Sequence, residues 1–249
     1  MSRRVLEELR IDARFCGPPA SGNGGYVCGR VARHLVGDAA VRLFVPPPLD
    51  TPLEMVSDDG VVRLMAGEQR VAEGRAMPLE LEVPPAPGAA AAREAATRYA
   101  GFEQHSFPTC FVCGPERPVG DGLRIFAGPL PGGSPVAAPW IPDDSLAVNG
   151  RIAPVYLWAA LDCPGAFSVL PAPPGKALVL GELHAHIEAV PAPGDHCIAS
   201  GWAIDVDGRK HHVGSAVYGA DGACLAHARA TWIEVDEAAF RPDGTLATG

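Results

Sequence analysis

Two cysteines three positions apart, Cys110 and Cys113, with Gly114 and Pro115 behind them, have the spacing of half a zinc site. No second Cys-x-x-Cys or His-x-x-x-His pair stands at ligand spacing, so no metal is expected there. Glu182, His184, His186 and Glu188 alternate with Leu183, Ala185 and Ile187, which puts four polar groups on one face of a strand. A His-x-His pair can ligate a metal, but the solvent face of an antiparallel sheet has the same pattern and is the expected reading, with His227 and Arg229 paired to it. The glycine-rich Ser21-Gly-Asn-Gly-Gly25 is neither a nucleoside-triphosphate loop nor a dinucleotide fingerprint, because no Lys-Ser or Lys-Thr follows and no acidic ribose partner is evident. The absence of a Gly-x-Ser-x-Gly elbow removes the serine route to ester cleavage. Asp162 stands near a helix end, four residues after Trp158, where burial and the negative helix terminus both raise a carboxyl pKa. The same aspartate also reads as a simple helix end ahead of Cys163-Pro164.

These residues must be positioned by an architecture that the chain writes twice. Thr51–Gly60, then 61–67 and 71–76, reappear in outline as Gly194–Gly208, 211–218 and 225–230. In each copy a strand-like run ends at an Asp-Gly hairpin signal, a second ends at a glycine turn, and a third closes on x-Ala-x-x-Arg-Ala. A duplicated three-strand meander implies a duplicated small domain, in which one copy keeps the chemistry while the other drifts. Residues 4–15 read as an opening strand or a helix–strand transition. Val27, Cys28, Val31, Ala32 and Leu35 recur at helical spacing and predict a helix over 24–36 that starts at a Gly-Gly. Strands are expected at 41–46, 52–57, 61–65 and 70–78, then a proline linker and an alanine-rich helix at 89–100. Short strands are expected at 107–113, 123–126 and 136–141. Asn149-Gly150 precedes Ile152, Val155, Tyr156, Ala159 and Cys163, a nearly all-round apolar helix that should be buried. Long strands at 177–190, 197–205, 211–218 and 224–235 close the chain.

Composition bounds the function. At 249 residues with 47% hydrophobic content, the chain is long enough for two units of ordinary core size. The 26 prolines and 29 glycines fall at turns and linkers, so they punctuate strands. No apolar run approaches the roughly 20 residues of a membrane span, and Met1-Ser-Arg-Arg-Val-Leu lacks a signal-peptide core, so a cytoplasmic location is expected. Seven cysteines, an odd number, then fit reduced thiols better than a disulfide framework. A net charge of −9 argues against nucleic acid or an anionic membrane as partner, while leaving room for a small anion at a local basic cluster.

One helix followed by four antiparallel strands, twice, is the order of the hotdog fold, and short motifs carry a likeness to its thioesterases. Residues 110–126, CFVCGPERPVGDGLRIF, resemble the opening segment of hotdog thioesterases of the phenylacetyl-CoA type. Asn23-Gly-Gly resembles the His-Gly-Gly that opens their central helix, and Ala160-Leu-Asp162 resembles their acid position. The resemblance implies an α+β tandem, or double, hotdog: two antiparallel sheets, each wrapping a central helix, with units at 1–86 and 105–249 and a linker helix at 87–104. It further implies a site on the seam between the halves, where one supplies a helix N-terminus and the other an acid. Asn23, Gly24 and Gly25 would offer backbone N–H groups to the oxyanion of a thioester, and Asp162 would activate water or attack the carbonyl.

Departures from the family pattern sharpen this reading. Nine residues after Asn23 stands Ala32, followed by Arg33, so the first half has lost its carboxylate; the second half keeps Asp162 but opens on Asn149-Gly150-Arg151. Tyr26 and Trp158 are expected in the acyl pocket, while Phe167 reads as core. Arg30, Arg33 and Arg151 are expected to meet the phosphates of an acyl-CoA, with Arg209 and Lys210 as a second choice. The expected activity is acyl-CoA thioester hydrolysis without a cofactor. The alternative is a binding protein that kept the pocket and lost turnover, consistent with one decayed site and Asn in place of His at 23. A hydratase of the same fold is disfavoured, because 17–26 contains neither Asp nor His. Homodimer formation is compatible with such sheets, though no residue fixes an interface.

Overall fold

A computed structural model describes residues 4–240; residues 1–3 and 241–249, the outer ends of the two expected units, lie outside the described residues. The first part runs β1 (Arg4–Leu9), α1 (Gly24–Ala32), β2 (Ala39–Leu43), β3 (Leu53–Asp58), β4 (Val61–Ala66) and β5 (Gln69–Ala76). After α2 (Ala89–Ala96) come β6 (Gly128–Pro129), β7 (Val136–Trp140), β8 (Ala147–Val148), β9 (Arg151–Ile152), α3 (Pro154–Ala160) and α4 (Cys163–Phe167). The chain closes on β10 (Lys176–Ile187), β11 (Cys197–Asp207), β12 (Lys210–Tyr218) and β13 (Cys224–Asp236).

Where two sheets were expected, the main strands form one antiparallel sheet of 11 strands in the order β1-β3-β4-β5-β2-β10-β13-β12-β11-β7-β6. With β6 at one end set aside, the order reads the same from either side of the β2–β10 join: β1, β3, β4, β5 and β2 answer β7, β11, β12, β13 and β10. The halves meet at β2 and β10, with Leu183 opposite Val41 and Glu182 opposite Arg42. Asp59 and Gly60 both adopt positive φ, as a two-residue hairpin between β3 and β4 requires, and Gly208 does so at the corresponding turn of the second half.

Helix α1 is buried nearly all round, with Val27, Cys28 and Val31 wholly inaccessible. It lies across β2, β4, β5 and β10 and packs against α3. The helix is shorter than its apolar spacing implies: Val36 is 90% exposed and Gly37 turns the chain with φ of 76°.

Three further expectations change. Residues 107–113 and 123–126 are not strands but a turn-rich segment, folded by bonds such as Cys110 N–H to Phe107 O and Gly114 N–H to Cys110 O. Asn149-Gly150 does not open a helix; both residues have positive φ and form the tight turn of the β8–β9 hairpin. The expected long helix starts instead at Pro154, a residue suited to a first turn, and is broken at Leu161–Asp162 into α3 and α4. Pro164 has no N–H to continue the ladder of α3, which makes this break the natural one. Among the described residues no helix is long and apolar enough to cross a membrane.

Candidate active site

The break after α3 drops Asp162 onto the first turn of α1. Asp162 Oδ2 accepts from the Gly25 N–H at 2.9 Å and from Asn23 Nδ2 at 2.8 Å. Asn23 also caps its own helix, its Oδ1 accepting from the Tyr26 N–H at 2.9 Å. The other Asp162 oxygen, Oδ1, has no hydrogen-bond partner among the described residues. Burial leaves Asp162 only 1% exposed and pushes its carboxyl up to about 7, against the opposing pull of the Gly25 and Asn23 hydrogen bonds.

Close approach is what makes this contact. A Cβ on Gly25 would lie 2.6 Å from both Asp162 Cβ and the Trp158 carbonyl oxygen, so only glycine lets α1 and α3 meet here. The Gly24 N–H, at the first helical position, has no acceptor among the described residues and stands at the positive end of the helix. Gly24 is half-buried, with Leu43 and Leu180 over it. Ser215 Oγ donates to the Leu161 carbonyl at 2.6 Å and fixes the strand of chain that carries Asp162.

The four residues expected to do chemistry, Asn23, Gly24, Gly25 and Asp162, therefore come together, although the expected residues around them divide. Tyr26, Arg30 and Arg33 line an open cleft of about 280 Å³ at the far end of the α1–α3 pair, together with Ser145, Ala153 and Tyr156. This is the pseudo-symmetric counterpart of the Asp162 end. Counting nine from the α3 cap, Ala153, reaches Asp162, just as nine from Asn23 reaches Ala32; Ala153, not Asn149, is the partner of Asn23. Glu7 holds Arg30 at 2.6 Å and also meets His34 at 3.2 Å, whereas Arg33 lies 3.7 Å from it and stays 56% exposed. Trp158 is not on the cleft but buried in the helix seam, its Cβ side filled by Gly29 of α1. Arg151 is exposed on β9, reaching the Val190 carbonyl, and Arg209 and Lys210 are exposed at the β11–β12 turn. Phe167 packs on Tyr99, as core.

The His-rich face also differs from a plain solvent face. His186 pairs with Asp38 at 2.6 Å and stands opposite His227, while His184 is 9% exposed with its Nε2 against the Met77 carbonyl. Sequence pattern missed Cys110 and Leu180 as neighbours of Asn23 and Gly24. Cys110 Sγ is 3.8 Å from Asn23 Nδ2, a contact that only the fold of the turn-rich segment creates.

No family model matches the chain, and no curated protein sequence matches it. Solved structures do. The TesB protein of Mycobacterium avium subspecies paratuberculosis superposes with a TM-score of 0.59 at 11% identity, covering 94% of this chain and 92% of that one. The acyl-CoA thioesterase II TesB2 of Mycobacterium marinum gives 0.53 at 11%, covering 86% and 90%. A hotdog-fold protein of unknown function from Alicyclobacillus acidocaldarius gives 0.51 at 10%, covering 93% and 96%. The chain has the hotdog fold.

Proposed function

We propose that the chain is a double-hotdog acyl-thioester hydrolase with one working site, at the meeting of Asp162 with the N-terminus of α1. The contact of 2.9 Å between Asp162 Oδ2 and the Gly25 amide carries this reading. It brings a carboxylate from one half onto the aimed N–H groups of the other. The 1–86 and 105–249 segments are the two hotdog units in this reading, and 87–104 links them. Asp162 takes a proton from water as the water oxygen attacks the thioester carbonyl carbon. The carbonyl oxygen becomes an oxyanion stabilised by the Gly24 N–H; the C–S bond then breaks as the oxyanion collapses to the acid, and the leaving thiolate takes the proton back from Asp162, restoring the carboxylate. An acyl-CoA fits as substrate because the acyl-CoA thioesterase II of Mycobacterium marinum shares the fold. Arg33 lies nine residues from Gly24, about 14 Å along the helix, within reach of an anionic carrier arm.

Retained binding without turnover is favoured by one observation: Asp162 is sealed from solvent and its Oδ2 already occupies two donors. The experiment is thiol release from a panel of acyl-CoAs, from acetyl to palmitoyl and aromatic, with wild type and Asp162→Asn. Loss of about 10²–10⁴-fold in kcat with binding kept supports hydrolysis by this aspartate. Equal release by both proteins ends it, and binding with no release by wild type establishes the second reading.

A further inference from the structure

The cysteine pair set aside for want of a partner acquires one in the fold. Cys163, the first residue of α4, comes to Cys110 and Cys113, and the three Sγ atoms lie within 4.8 Å of one another. All three are 5% exposed or less. The Cys110–Cys163 separation is 3.8 Å, whereas tetrahedral Zn–S bonds of about 2.3 Å set sulfurs about 3.8 Å apart. The loop is a tight knuckle, closed by the Cys110 N–H to Phe107 O at 3.0 Å and the Gly114 N–H to Cys110 O at 2.9 Å. Gly114 makes the turn possible, since a Cβ there would lie 2.5 Å from Cys110 N and from the Pro108 carbonyl.

We propose that Cys110, Cys113 and Cys163 form a zinc site that staples the turn-rich segment to α4. Three thiolates around one divalent cation leave a single negative charge, and polar groups surround it. Asn23 Nδ2 lies 3.8 Å from Cys110 Sγ. His105 Nε2 lies 3.4 Å from Cys113 Sγ, and because His105 Nδ1 accepts the Phe107 N–H at 3.0 Å, the neutral ring carries its proton on Nε2. His105 is thus an outer donor to the sulfur, and the three thiolates are the ligands that the described residues supply. Soft thiolates in this number suit zinc over magnesium or calcium. Since Cys163 follows Asp162 directly, the ion would also steady the carboxylate, but the site stands whether or not the chain hydrolyses thioesters.

Elemental analysis of the full reduced chain, followed by chelator stripping and titration with Co(II) and then Zn(II), tests this. One equivalent of Co(II) per chain, with thiolate-to-cobalt charge-transfer absorption that Zn(II) displaces, is the expected result. Cys113→Ser and Cys163→Ser should each weaken binding at least 100-fold, His105→Ala about 10–100-fold as an outer-shell change, and Cys224→Ser not at all. Circular dichroism checks that each variant is folded. Should the serine variants fail to fold, wild-type stoichiometry decides. Absence of metal in the wild type on isolation and on titration, binding that all the serine variants retain, or a preference for Cu(I) over Zn(II) overturns the assignment.

Discussion

Asp162 and Gly25, 137 residues apart in the chain, are joined by a hydrogen bond of 2.9 Å between a buried carboxylate and a first-turn amide. The contact exists because Gly25 has no side chain. Gly25→Ala would set a methyl 2.6 Å from Asp162 Cβ and from the Trp158 carbonyl. A cost of about 1–3 kcal/mol is expected from such overpacking, together with loss of the hydrogen bond. Gly88→Ala, where nothing lies within 4 Å and φ is −64°, should change stability by about 0.5 kcal/mol or less. Urea unfolding of the two variants measures the difference; equal midpoints would mean the helices are not in this contact.

Asn23 has two tasks that substitution can separate. Asn23→Ala removes the cap of α1 and the donor to Asp162, at a cost of about 1 kcal/mol from the cap alone. Asn23→Asp keeps a capping oxygen but turns the donor into a second carboxyl facing Asp162. Activity should fall in both, and because a second carboxylate raises the Asp162 pKa further, the rate of the aspartate variant should fall away at a higher pH than that of wild type as the base is protonated. Parallel pH–rate curves for wild type and Asn23→Asp would refute the orienting role.

The Asp38–His186 pair, 2.6 Å across the join between halves, should give stability a pH window. The hydrogen bond to Asp38 raises the His186 pKa, assisted by Glu188, against partial burial. Burial pushes the Asp38 carboxyl up, but hydrogen bonds from His186 and the Leu79 N–H outweigh it and hold it below the usual carboxylate range. The histidine contribution is complete below its unfolded pKa of about 6.5 and is lost as pH rises through the raised folded value. The aspartate contribution is complete above about 3.9 and is lost as pH falls through the lowered one. His186→Gln should therefore cost most between about pH 4 and 6.5, by up to about 1 kcal/mol for a partly exposed pair, and less on either side. Thermal melts across pH 3–9 read this directly; a cost independent of pH would mean the pair is not ionic.

The two meanders were legible because Asp-Gly turns and alternating apolar residues leave local marks, and β3–β5 and β11–β13 follow them closely. The pairing of Asn23 with Asp162 was reached through motif resemblance, and its geometry followed. What local pattern could not supply was anything set by tertiary approach. Positions 107–113 look strand-like by composition, yet their backbone bonds are spent on turns that gather sulfurs from distant positions. The Asn149-Gly150 pair has the same letters as a helix opening and as a hairpin, and only the following Arg151-Ile152 pairing decides for the hairpin. Trp158 has the side chain of a pocket wall, but a glycine on the facing helix draws it into the seam.

Pairing β2 with β10 makes each half the edge protection of the other. Severing the chain in the linker would leave two raw strand borders, each ready to seek a replacement, so separately produced halves should either reassociate or precipitate. The β2–β10 border is thus constrained from both sides at once, since a change in either strand exposes the other.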